Sequence, residues 1–149
     1  MLIDTLRFGP MDVDGERLIE FRAGLLGFPT HHRFALIQTA TDPVFFWLQS
    51  AEDPALAFVV CDPTVFVPDF KVPVRPDDLA ALRIENPADS QVLTIVNKVD
   101  GHLTANLLGP LVIGVQSRLA KQFVLSDKRY GTRHRLVAFA PAAPVALSA

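Results

Sequence analysis

The sequence predicts an all-β fold with a minor α component: a mostly antiparallel β-barrel, closed or partly open, carrying one short helix. Three observations lead there. About ten short runs rich in Val, Ile, Leu and Phe recur at close spacing. The links between them are Asp-Pro, Asp-Gly and Gly-rich corners of the kind that end strands. Only one stretch, Pro76 to Leu82, carries a helical signal. Open sheet edges are a liability, so closure into a barrel is favoured over a flat sheet.

Taken in order, Ile3 to Phe8 and Arg17 to Phe21 read as strands joined at Asp12-Val13-Asp14-Gly15, where an Asp-Gly pair suits a hairpin. The stretch Gly24 to Pro29 has too much glycine for a strand interior and reads as a bend that holds Leu25 and Phe28 against the core. Phe34 to Gln38 is the next strand, ended by the polar Thr39 to Pro43. Phe45 to Gln49 and Ala57 to Cys61 are short apolar runs between turn residues, the pattern of neighbouring strands buried on both faces. Each Asp-Pro pair ends a strand, because proline lacks a donor and the aspartate bonds its own backbone, so Glu52, Asp53, Asp62 and Asp69 belong on loops.

Beyond this centre, Pro73 keeps Val72 to Val74 at an edge or outside a sheet. Pro76-Asp77-Asp78 suits a helix start, with proline in the first turn and acids at the positive end of the dipole, and the short helix is expected to lid one end of the sheet. Val92 to Val99 and Leu103 to Leu108 flank Asp100-Gly101, the strongest hairpin signal in the chain. Leu111 to Val115, Gln122 to Leu125 and Arg135 to Phe139 complete the strands, with a loop over Gln116 to Lys121. One domain over residues 1–140 and a frayed tail over 141–149, proline-rich and uncharged, account for the chain.

Composition narrows the chemistry. No apolar run approaches the roughly 18 residues of a membrane helix, and an acid stands near the N-terminus where a secretion signal is basic, so a cytoplasmic protein without membrane contact is expected. The single Cys61 excludes an internal disulfide and a thiolate zinc cluster, and its apolar setting reads as a small buried hydrophobe. His31 and His32 are adjacent and point to opposite faces of an extended segment, which disfavours joint metal binding. Acids at Asp77 and Asp78 are ordinary at a helix start, and no phosphate loop, nucleophile elbow or zinc protease motif is present. Glu52 or Asp53 meeting Asp62 or Asp69 across corners is the one arrangement that offers acid and base chemistry, although acids on turns are ordinarily solvated turn formers.

Charge is uneven. Residues 42–90 hold nine acids and three bases, a balance of −6, while residues 118–135 hold six bases and Asp127 alone, a balance of +5. Such separation marks faces for different partners or folds into a mixed, solvated surface, the commoner outcome. Phe123 and Tyr130 interleave the basic segment as they do in single-strand nucleic-acid binders. The overall acidic balance favours internal pairing over direct nucleic-acid contact.

The stretch Leu48 to Asp69, read as LQSxEDPxLAFxVxDPxxFxPD and followed by the aromatic Phe70, resembles the signature of the FliW family of bacterial flagellar assembly factors. Thr104 to Ile113 and Lys121 to Leu136 are similar to the family's later blocks, and the Gly-Leu-x-Gly-Phe of residues 24–28 is similar too. Three positions depart from the family pattern: Ala120 stands where a glycine is usual before Lys-Gln, Gly109 where Ala precedes proline, and Gly114 where an Asn closes the strand. The resemblance implies a non-catalytic protein without cofactor. Its implied partners are CsrA, a small basic translational regulator that binds messenger RNA, and flagellin, which competes for the same factor and so releases CsrA. It also implies a partner surface at Glu52, Asp53, Asp62, Asp69 and Phe70, with Asn106, Arg129 and Tyr130 as second choices. The reading from another class is a barrel that holds a small ligand, a flavin or a lipid, or an enzyme built on one.

Overall fold

The structure is a computed structural model that describes residues 1–39 and 43–136. It contains eleven strands: β1 Leu2–Thr5, β2 Gly9–Asp12, β3 Ile19–Phe21, β4 Arg33–Gln38, β5 Phe45–Ser50, β6 Ala57–Cys61, β7 Ser90–Val99, β8 His102–Ala105, β9 Leu111–Gly114, β10 Leu119–Gln122 and β11 His134–Arg135. One helix, α1 Pro76–Ala81, accompanies them.

Seven strands close a barrel in the order β7-β6-β5-β4-β3-β10-β9, with β9 returning to β7. The ring shuts because β7 is ten residues long and serves three neighbours in turn. Ser90 to Leu93 pair with β9, Thr94 to Val96 with β6, and Val96 to Val99 with β8. All pairings are antiparallel except β3 with β10. The fold class read from the sequence therefore holds.

Alternation fills the barrel from its own walls. Ile19, Phe21, Phe34, Leu48, Val60 and Leu111 each show no exposed surface and form one cluster. Phe28 and Phe58 stack edgewise at 5.4 Å below them. The Gly24 to Phe28 bend supplies Leu25 to the same cluster, as its composition suggests. Gly24 adopts φ +70, and a Cβ there would come within 2.7 Å of Pro29, so only glycine permits this approach.

The opposite faces of the strands are covered from outside. Ala35 and Ile37 of β4 alternate with Phe34, and the β1–β2 hairpin lays Ile3 and Met11 over them. On the far side, Val112 of β9 and Leu119 of β10 carry Leu79 of α1 and Leu82 just after it, together with Val72 and Val74. A third cluster, Phe70, Ala105 and Leu107 with Tyr130 and Leu136, packs where β8 and β11 extend beyond the barrel.

Several sequence-based expectations are corrected. The first hairpin joins Leu2–Thr5 to Gly9–Asp12 through residues 6–8, not Ile3 to Phe8 with Arg17 to Phe21. The Asp14 side chain instead accepts the Glu16 N–H and caps a single 3-10 turn, Gly15–Arg17, a use for which Asp is as well suited as for a hairpin. α1 lies against the outer face of β9 and β10 and does not lid an end, since the residues beneath it point outward. The strand expected at Gln122 to Leu125 instead covers Leu119–Gln122, mostly within the span expected as a loop, and Phe123 to Leu125 lie outside it. Its left-handed residue is Arg118, at φ +62, so Ala120 sits inside a strand and needs no glycine. Asp100 and Gly101 adopt φ +50 and +79, the hairpin geometry their sequence calls for. The expected strand to Phe139 is described only for His134–Arg135, and the tail of residues 141–149 lies outside the described residues.

Candidate functional site

The polar residues of the central signature build a corner before they offer a surface. Ser50 Oγ accepts the backbone N–H of Glu52 and of Asp53, at 3.0 and 2.9 Å. Gln49 is fully buried, and its Nε2 donates to the Ser50 and Leu56 carbonyls at 3.0 and 3.2 Å. Asp53 Oδ1 accepts the Ala55 N–H at 3.0 Å, and its other oxygen lies 3.5 Å from His31 Nε2. Glu52 Oε1 accepts the N–H groups of both His32 and Arg33 at 2.7 Å, which ties the start of β4 to the β5–β6 turn. Those backbone donors, Arg33 first and His32 second, hold the Glu52 carboxyl below its ordinary value.

Asp62 and Asp69 occupy the other end of β6. Asp62 Oδ1 accepts the Thr64 N–H and caps a 3-10 turn, Pro63–Val65, while Oδ2 takes the Gln91 amide at 3.4 Å. The five residues of β6 separate this corner from Glu52 and Asp53 by about 13 Å or more at ~3.3 Å per residue. The carboxylate pair that acid and base chemistry needs is therefore not assembled between the two corners. Asp69 is exposed, and among the described residues its side chain makes no hydrogen bond.

Phe70 is a correction. Expected on the partner surface, it is 4% exposed and packs edgewise on Tyr130 at 5.1 Å, because the turn at Pro68-Asp69 directs it back over Leu107. Asn106 is half-buried, and its Oδ1 accepts the Leu108 N–H at 3.1 Å. Arg129 is exposed, lies over the Tyr130 ring at 5.1 Å and grips Asp127 at 2.8 Å. That grip lowers the Asp127 carboxyl and raises the Arg129 guanidinium, with Asp69 adding a smaller pull on Arg129.

The predicted residues thus divide. Glu52 and Asp53 lie at the β5–β6 turn, whereas Asp69, Phe70, Arg129 and Tyr130 come together at the end of β6, with Asp62 and Asn106 on the elements leading there. The charge asymmetry also folds into a mixed surface, since Lys121 pairs with Asp78 at 3.1 Å and Arg129 with Asp127. His31 and His32 do not converge: one meets Asp53, the other turns Nδ1 to the Phe21 carbonyl at 2.9 Å. No helix among the described residues is long and apolar enough to cross a membrane.

Sequence reading missed a groove of about 770 Å³ between residues 71–75 and residues 121–127, outside the barrel. Valine alternating with Lys71, Pro73 and Arg75 is the local sequence pattern beside it, and Pro73 argues there against a strand.

Comparison with known proteins bears on the whole chain. The family model described as FliW protein matches residues 2–136. A flagellar assembly factor FliW of Treponema denticola is 37% identical over 140 residues, covering 93% of this chain and 95% of its own. The flagellar assembly factor FliW of Treponema pallidum is 38% identical over 140 residues, with 93% of each chain covered. A crystal structure of the flagellar assembly factor FliW superposes with a TM-score of 0.82 at 33% identity, over 91% of this chain and 96% of the other.

Proposed function

The chain belongs to the FliW family, and we propose from that membership that it serves flagellar assembly as a non-catalytic cytoplasmic binding protein that antagonises CsrA and is released from it by flagellin. The match over residues 2–136 carries this reading. Two features of the molecule support it. The barrel interior is filled by buried side chains, so binding falls to the surface, which favours a protein partner over the flavin or lipid alternative. The second feature is Asp69, an acid exposed beside a packed aromatic cluster, an arrangement suited to a basic partner.

Asp69 is the acid best placed for contact, because Glu52, Asp53 and Asp62 already serve local backbone groups. Electrostatic attraction brings a basic protein to this corner, and neighbouring exposed side chains fix its register. Flagellin, on this reading, competes for the same factor and returns CsrA to its messenger RNA.

Titration of the purified protein into a complex of CsrA and leader RNA tests the proposal. The wild type is expected to release the RNA, and added flagellin to restore its capture by CsrA. Asp69→Lys is expected to weaken release at least about tenfold, whereas Asp62→Asn, which keeps an acceptor for the turn, changes it little. Absence of release by the wild type refutes the reading, and unchanged release by Asp69→Lys removes Asp69 from the contact.

A further inference from the structure

We propose that a cleft of about 280 Å³, bordered by Asp14 and Arg17, by Arg118 ahead of β10 and by Leu36 of β4, binds a small carboxylate with an apolar body, with Arg17 and Arg118 as its cationic contacts. Topology makes the site. β3 and β10 are the one parallel pair, so both strands start at the same end, and the residues just ahead of them meet across 101 positions of sequence. Arg118 donates from Nε and Nη2 to the Arg17 carbonyl at 3.1 and 2.7 Å, which fixes its guanidinium. Among the described residues, neither the remaining Arg118 donors nor the Arg17 side chain has a hydrogen bond or ion pair.

Charge selects an anion. Two guanidinium groups stand in the lining against one carboxylate, a balance of +1. The one acid is Asp14, whose Oδ1 accepts the Glu16 N–H; Glu16 itself lies outside the lining, and Glu20 on β3 is paired with Arg22 at 3.2 Å. Burial first and the neighbouring Arg17 charge second pull the Arg118 guanidinium below its ordinary value, as expected of two cations held close without a counter-charge. Arg118 also keeps a left-handed backbone at φ +62, where glycine would fit at lower cost but bring no guanidinium.

The rest of the lining sets the body of the ligand. Val13, Leu18, Ala35 and Leu36 complete the cleft, and Leu36 is 37% exposed beside the two cations. An apolar wall with a few convergent polar groups is the arrangement of a small-ligand site. A guanidinium edge accommodates both oxygens of a carboxylate, and a balance of +1 suits a singly charged group better than a phosphate dianion. The site does not depend on the regulatory reading above, because neither CsrA nor flagellin enters its test.

Chemical-shift titration of the isotope-labelled full chain with hexanoate, hexanol and inorganic phosphate is that test. Hexanoate is expected to saturate in the millimolar range and to move the amide signals of Arg17, Leu36 and Arg118, with hexanol and phosphate each at least about tenfold weaker. Arg17→Gln removes a side chain that bonds nothing else in the fold, and Arg118→Gly suits the left-handed backbone. Each is expected to weaken hexanoate at least about fivefold. Melting curves establish that the variants are folded, and Arg17→Gln decides alone if Arg118→Gly is not. Equal binding of hexanol and hexanoate, tighter binding of phosphate than of hexanoate, no saturation by tens of millimolar, or an unchanged affinity in Arg17→Gln overturns the proposal.

Discussion

Glu52 Oε1 accepts the Arg33 backbone N–H at 2.7 Å, joining the turn after β5 to the start of β4 across nineteen positions of sequence. Because the same oxygen also takes the His32 N–H, loss of this carboxylate frees two backbone donors at once. Glu52→Ala is expected to lower stability by about 1 kcal/mol, since the site is exposed and water replaces part of what is lost. Glu52→Gln, which keeps an acceptor, costs less. Urea denaturation of the two variants measures the difference.

The same carboxylate gives stability a pH dependence of known sign. Its folded value lies below its ordinary 4.5, so its contribution is full above that pH and is lost as pH falls through the folded value. The stability gap between wild type and Glu52→Gln should therefore narrow on acidification below 4.5. A gap that widens there contradicts the backbone contacts.

Phe70→Ala opens a space between Leu107 and Tyr130 and is expected to cost about 3 kcal/mol, the scale for a buried phenylalanine. The loss should appear in denaturation without any partner present. Asp69→Lys, one residue earlier and exposed, should leave the melting temperature within a few degrees of wild type. Reversed effects would return Phe70 to the surface.

Gly101 at φ +79 lies in the β7–β8 turn, where nothing crowds a Cβ. Gly101→Ala is consequently a pure test of backbone conformation, with an expected cost of about 1 kcal/mol. Equilibrium unfolding of this variant reads it directly, and an unchanged midpoint would contradict the left-handed geometry.

Cys61 has no exposed surface, and burial pushes its thiol up to about 11, against a weaker opposing contact with the Thr94 hydroxyl. Reaction with a thiol reagent at neutral pH should proceed only through opening of the fold and accelerate in parallel with unfolding by denaturant. Rapid labelling of the native protein contradicts this burial.

How much was legible in the sequence follows from the range of each interaction. The Asp100-Gly101 hairpin, the pairing of β5 with β6, the Gly24 bend and the brief helix at Pro76 are set within a few residues, and all were readable. The site was legible only in part. The LQSxEDP run placed Glu52 and Asp53 on a corner, yet that Glu52 is engaged by Arg33, nineteen positions away, and Asp62 by Gln91, twenty-nine away, follows from no local pattern.

What the sequence determined by itself was the all-β class, most of the strands with several of their turns, and the resemblance to a family, because alternation and turn propensity act over neighbouring residues. Only the tertiary structure decided that β7 serves three strands and closes the ring, that Phe70 turns inward while Asp69 stays out, and that two segments fifty positions apart in the chain border one groove. Those outcomes depend on packing between distant elements, where burial of apolar surface outweighs any local preference.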